Sequence, residues 1–278
     1  MNHIPREQIF TITNETLLAQ FIVIPSKKDK QAVVAAVCTT FAKLPYENLT
    51  KIIKRDSVIG TSSARRLPDE VIADYLAYRT GGTCFSLTAA LIAVFRHFGV
   101  ESYPILADRR YGPDTHCAAL VMVEGKPYLI DLGYLIYEPV LLPEREMVVV
   151  EKRFNRIELV PEGEKRIALY TWSGASKRYR LTYKVEPVDA ATFSSAWERS
   201  FGWEMMTYPV LTRMTATEHY YLQGNQLQVR CEGRTVRKYL DEAESGRFIT
   251  SMAGISPSIV EQAFQLVRMV PHGKAASR

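Results

Sequence analysis

Thr80-Gly81-Gly82-Thr83-Cys84-Phe85-Ser86-Leu87 decides how the rest of the chain is read, because it sets a thiol at the start of a helix. From Cys84 the apolar run continues through Leu91, Ile92 and Phe95 to Phe98, and Gly99 closes it. The paired glycines allow a tight turn and a close approach of backbone or substrate. Free N–H groups and the positive end of the helix dipole favour thiolate over thiol at Cys84, and the same N–H groups suit an oxyanion. For a cysteine taken alone, a helix C-cap followed by a buried thiol is the simpler reading.

Upstream, apolar residues recur at Val33, Val34, Val37, Phe41 and Leu44, which predicts an amphipathic helix over Ser26 to Leu44. Ser26 and Asp29 resemble a capping box, and Pro45 ends the run. A second helix opens at Pro68 with Asp69 and Glu70 in its first turn, buries Val71, Ile72, Tyr75 and Leu76, and stops at Gly81-Gly82. Downstream the period changes to that of strands, at Ser102 to Leu106, Cys117 to Val123 and Tyr128 to Leu132, the last two joined across Glu124-Gly125-Lys126 as a hairpin.

Further strands are expected at Met147 to Val150, Arg156 to Val160, Ile167 to Trp172 and Tyr179 to Val185, so the middle of the chain reads as an antiparallel sheet or small barrel. A helix over Ala190 to Ser200, strands at His219 to Leu222 and Leu227 to Cys231, and a helix from Ser256-Pro257 complete the pattern; Pro271 to Arg278 reads as a frayed tail. The order is helices, then sheet, then a mixed cap. That is an α+β chain, divided at residues 1–100, 101–205 and 206–278.

The hairpin carries the other half of the chemistry. His116 begins one strand and Asp131 ends its partner. With an even number of loop residues Asp131 falls opposite Ala118 or Leu120, both of which share the parity of His116, so the two side chains emerge on one face. With Ala118 opposite, His116 is the diagonal neighbour at a Cβ separation of roughly 7 to 8 Å. An odd loop would put them on opposite faces. The aspartate would fix the imidazole tautomer and leave the other ring nitrogen to take the proton of Cys84, giving a Cys84, His116, Asp131 triad. Each residue has a plainer use alone, a strand histidine or a turn aspartate before Gly133, but the three together favour catalysis. Cys117 points to the face opposite His116, and His97 is explained by its place at a helix C-terminus.

Composition narrows the class. At 278 residues, 47% hydrophobic and 23% charged, the chain is an ordinary globular protein with room for two or three subdomains. A net charge of +5 with interleaved signs leaves no nucleic-acid footprint and merely suits an anionic cosubstrate. The clusters Lys51-Ile52-Ile53-Lys54-Arg55, Arg65-Arg66 and Arg109-Arg110 read as solvated faces or loops. Four dispersed cysteines, Cys38, Cys84, Cys117 and Cys231, indicate neither a disulfide framework nor a zinc site, and with no membrane span in view the expectation is a cytoplasmic protein with reduced thiols and no metal.

At these residues the sequence resembles the arylamine N-acetyltransferases. Their Pro-Phe-Glu-Asn-Leu, Arg-Gly-Gly-x-Cys, strand histidine and Val-Asp-x-Gly motifs appear in order as Pro45-Tyr46-Glu47-Asn48-Leu49, Thr80-Gly81-Gly82-Thr83-Cys84, Thr115-His116 and Ile130-Asp131-Leu132-Gly133. Weaker echoes follow at Glu186-Pro187, Phe193 and Leu222-Gln223-Gly224. The resemblance implies a helical subdomain, a central antiparallel β-barrel and a C-terminal α/β lid around a cysteine-protease-like core. It also implies acetyl-CoA as cosubstrate, Cys84, His116 and Asp131 as the triad, and a small-molecule amine as acceptor. Thr80 stands where the family has the arginine that pairs with Glu47, with Arg79 one place earlier, so that pairing is lost or rebuilt. Ser86 and Thr88 replace the family's Glu and Asn, and Leu135 replaces a frequent glycine.

The function expected is therefore ping-pong transfer of an acetyl group from acetyl-CoA to an arylamine or hydrazine nitrogen through a Cys84 thioester. Two other readings use the same residues. One is a transglutaminase-like or biosynthetic amide synthase with a carrier-bound or glutamine-derived donor. The other is a binding or regulatory protein whose turnover has weakened.

Overall fold

The computed structural model describes residues 6–58, 63–152, 154–173, 176–231 and 234–268. The expected tail, Pro271 to Arg278, lies outside them. Helices lead: the periodicity predicts α2 (Lys30–Phe41), α4 (Pro68–Tyr78) and α5 (Cys84–His97), and the structure adds α1 (Glu15–Phe21) and α3 (Leu49–Ser57). Helix α2 starts later than Ser26, because Asp29 is its cap and accepts the Ala32 N–H at 3.0 Å.

Helix α4 ends on Arg79 in the left-handed region (φ 58°), short of the glycine pair. The glycines serve close approach instead: a Cβ on Gly81 would lie 1.8 Å from the Pro45 carbonyl oxygen, and one on Gly82 2.2 Å from Ser86 Oγ. Helix α5 is buried from Cys84 to Phe95, which is why its sequence is apolar on every side.

A short strand β1 (Tyr46–Glu47) lies between α2 and α3. The main sheet follows, built from β2 (Ser102–Arg109), β3 (Gly112–Val123), β4 (Lys126–Asp131), β5 (Ile136–Leu141), β6 (Val148–Lys152), β7 (Asn155–Pro161), β8 (Arg166–Ser173) and β9 (Ser176–Lys184). Their order is β5-β4-β3-β2-β9-β8-β7-β6, antiparallel throughout, a nearly closed barrel with β5 and β6 at its edges. Alternation along β3 divides two cores. Ala118 and Leu120 join Ile105, Leu169 and Leu181 in the barrel, while Cys117, Ala119 and Val121 face the helices with Cys84 and Phe85.

Helix α6 (Ala190–Arg199) returns to the helical core, where Phe193 and Trp197 pack on Phe85. Then β10 (Val210–Met214), β11 (His219–Gln223), β12 (Gln226–Cys231) and β13 (Arg234–Tyr239) form a second antiparallel sheet, and β1 completes it by pairing with β10. Its apolar face, with Leu211, Leu222 and Leu227, is covered by α7 (Glu242–Ala253), α8 (Pro257–Arg268) and Leu49 of α3. Among the described residues no helix is long and apolar enough to cross a membrane, and no cluster of three His, Cys, Asp or Glu side chains could hold a metal ion.

Candidate active site

The β3–β4 hairpin closes on Val123 opposite Lys126, leaving the two-residue loop Glu124-Gly125, both with positive φ as a type I′ turn requires. The even loop carries the pairing to Ala119 opposite Ile130, which puts Asp131 beside Ala118 and His116 on its diagonal. The two side chains meet: His116 Nε2 lies 2.7 Å from Asp131 Oδ2, and both residues are fully buried. At the first residue of α5 the Cys84 thiol contacts His116 and also the Cys117 thiol on the next position of β3. Thr83, the cap residue, makes no side-chain cap bond, so no capping side chain claims the first-turn N–H groups.

Asp131 is saturated. Its Oδ1 accepts the N–H groups of Gly133 (2.8 Å) and Tyr134 (3.1 Å), and its Oδ2 accepts His116 and the Tyr183 hydroxyl (2.5 Å). Burial alone would raise its pKa, but the His116 charge and these donors outweigh it and hold the carboxyl below its usual value. The reverse holds at His116, where burial works against the charged ring and Asp131 and Cys84 overcome it, for a net rise. For Cys84 the largest cause is the Cys117 hydrogen bond; burial opposes it, and His116 and Arg109 help, leaving the thiol well below its ordinary value. Cys117 moves the other way, raised by burial and by Cys84.

Two of the basic clusters expected in solvent each send one side chain into the interior. Lys51 is 5% exposed, donates to the Ser200 carbonyl and hydroxyl, and lies over Phe201 and Trp203; burial lowers its pKa to about 8. Arg66 is 3% exposed and rebuilds the pairing that Thr80 lacks. Its Nη1 donates to the Gly81 carbonyl (2.7 Å) and Thr50 hydroxyl (2.6 Å), sits 3.9 Å from Glu47 Oε1, and its other edge holds Asp74. Glu47 in turn accepts the Gly81 N–H. The turn before Cys84 is thus held on both sides, by an arginine from a different segment than the family motif uses.

Arg109 is the third departure. Its Nη2 lies 3.1 Å from His116 Nδ1, so the neutral ring carries its hydrogen on Nε2 and donates to Asp131. The position has a signal in the strand pattern, since Ala107 pairs with His116 and Arg109 is two residues along β2. Tyr183 has none in the local sequence; it comes from β9, where it pairs with the same Ala107. Farther out, Arg230 is lowered first by burial and then by Arg180, Arg178 and Arg237, a cationic fringe between barrel and second sheet.

An α+β protein whose helix-start cysteine abuts a barrel carrying buried His and Asp has the cysteine-protease-like core. A family model described as N-acetyltransferase matches residues 33–257. The chain belongs to that family and is an acyltransferase enzyme. No curated protein sequence matches it.

Solved structures with the same fold include the arylamine N-acetyltransferase of Mycobacterium abscessus, with TM-score 0.74, 19% identity, and coverage of 92% of this chain and 95% of that one. A Mycobacterium smegmatis arylamine N-acetyltransferase gives 0.73, 20%, 90% and 98%. One from Bacillus cereus, described as having a unique Cys-His-Glu catalytic triad, gives 0.63, 16%, 90% and 98%.

Proposed function

We propose that the protein moves an acyl group from a CoA thioester to an amine nitrogen by a ping-pong route through Cys84. Acetyl-CoA is the donor and an arylamine or hydrazine the acceptor that membership of the family makes the first candidates. The observation that carries the reading is the buried 2.7 Å His116–Asp131 contact directly beside a helix-start thiol.

His116 Nδ1 takes the Cys84 proton while Asp131 steadies the imidazolium through Nε2. The thiolate attacks the thioester carbonyl, first-turn N–H groups of α5 receive the oxyanion, and CoA leaves with the proton. The amine then attacks the Cys84 thioester, and Nδ1 takes its proton. The fringe of Arg178, Arg180, Arg230 and Arg237 supports an anionic donor.

The experiment is intact-protein mass spectrometry after incubation with acetyl-CoA and no amine. One acetyl group is expected on the wild-type chain and none on Cys84→Ala. A chain that stays unmodified by acetyl-CoA while its thiol reacts with iodoacetamide would rule out this donor.

A further inference from the structure

Arg109 sits on the nitrogen that a general base must keep free, and it has no carboxylate of its own. Its Nη1 donates to the Tyr111 hydroxyl at 2.6 Å, its Nη2 faces His116 Nδ1 at 3.1 Å, and its Nε is buried with no hydrogen-bond partner. The rings of Tyr111 and Tyr134 flank the guanidinium at 5.9 Å each. No carboxylate of the described residues pairs with it. A cation so placed needs an anion. In the free protein it faces the hydroxyls of Tyr134, Tyr46 and Tyr111 and the Cys84 thiol, none of them a carboxylate, and acylation leaves a neutral thioester sulfur there.

Nε and Nη2 together form the side-on edge of a guanidinium, the edge that grips a carboxylate with two parallel hydrogen bonds. Here one of the two donors is spent on a ring nitrogen and the other on nothing. We propose, building on the acyl-transfer reading above, that Arg109 selects acyl groups carrying a carboxylate of their own, so that the preferred donor is a short dicarboxylic acyl thioester. The acyl chain grows from Cys84 Sγ, which shares His116 with Arg109, so a carboxylate one or two carbons beyond the thioester carbonyl lies within its reach.

The same contact explains how the base is released. While Nη2 donates to Nδ1 that lone pair is occupied, so with a neutral acyl donor the base works only when the contact opens, and a protonated ring would meet the guanidinium donor to donor. The incoming carboxylate takes the Nε and Nη2 edge and frees Nδ1. Nδ1 then accepts the Cys84 proton, and the sulfur forms its bond to the acyl carbon. The bond from that carbon to the donor sulfur breaks, and the departing thiolate takes the proton from Nδ1. The exchange is thioester for thioester and needs no oxidant or reductant.

The test is the acylation half-reaction of the full chain, without amine, followed by rapid quench and intact mass spectrometry. Malonyl-CoA is compared with acetyl-CoA and with propionyl-CoA, a chain of similar length. The three donors share the CoA phosphates, so only the acyl group differs. The malonyl adduct is expected on the order of tenfold or more faster than either neutral acyl adduct, the value of one charge-assisted pair. Arg109→Gln should bring the three rates together, and Arg109→Lys should keep part of the preference.

A melting curve and the near-UV circular dichroism spectrum report whether the variants fold. Equal rates in the wild type, or a preference that survives Arg109→Gln, overturn the assignment and leave Cys84 acyl transfer standing. Equal rates together with a KM for aminobenzoate that rises in Arg109→Gln while that for aniline does not would give the carboxylate to the acceptor and also overturn it. Absence of any adduct at Cys84 removes the acyl-transfer reading and this one with it.

Discussion

Glu47 is a fully buried carboxylate, and what it binds determines where Cys84 sits. It receives the Thr50 N–H and hydroxyl and the Gly81 N–H, and Arg66 supplies the balancing charge. Arg66→Ala would strand that carboxylate and also release the Gly81 carbonyl and Asp74. Removing one partner of a buried pair costs about 3 to 5 kcal/mol, so a loss near 3 kcal/mol is expected in urea unfolding. The double variant Arg66→Met with Glu47→Gln should recover much of it, because no fully buried charge is left uncompensated and Asp74, released as well, is partly exposed to water. Cys84, His116 and Asp131 were legible as candidates because helix-start electrostatics and strand parity are local rules. Arg66 and Lys51 were misread as solvated because a charge run looks the same whether it faces water or closes over a partner far along the chain, such as Ser200 for Lys51.

At the scale of elements the site depends on a row across three strands. Ala107 on β2 pairs with His116 on β3 and with Tyr183 on β9, and its small side chain lets the tyrosine hydroxyl reach Asp131 beyond. Ala107→Leu would place a branched side chain at a fully buried position between them. The expected outcome is a stability loss of about 1 to 3 kcal/mol from overpacking. A fall of roughly tenfold or more in acetyl-adduct rate should accompany it as His116 and Asp131 part. Unchanged adduct kinetics in a folded Ala107→Leu chain would show that the row does not position the histidine.

Helices α2, α4 and α5 and the strands of the hairpin were readable from periodicity, with ends adjusted by caps. Strand β1 was not, since two residues become a strand only by pairing with β10 from the far end of the chain. Strand β13 escaped for a related reason: all six of its residues are exposed, so no inward and outward alternation marks it.

The second sheet is a joint product of both ends of the chain, with β1 at one edge and Leu49 beneath it, so loss of that sheet would also loosen the segment that holds the Cys84 turn. Its weak point toward acid is His219. The side chain is partly buried on β11, its Nε2 has no hydrogen-bond partner, and Arg230 pairs across from it on β12. Burial, aided by that arginine, lowers its pKa to about 4 from an unfolded value near 6.5. The unfolded chain therefore binds a proton at His219 below about pH 6.5 that the folded chain refuses until about pH 4, and unfolding is favoured progressively across that interval.

The full effect at pH 4 is about 2 to 3 kcal/mol. His116 shifts upward, so its contribution is already complete below pH 6.5 and does not alter the slope there. Asp131 shifts downward and loses its contribution only as pH falls below the ordinary carboxylate range. The Cys84 contribution declines toward acid in wild type and variant alike and cancels in their difference. His219→Leu should accordingly match or exceed the wild type at neutral pH and gain on it steadily between pH 6.5 and 4, with no further divergence below. Parallel urea-unfolding curves for the two proteins through that interval would show that His219 is not the group responsible.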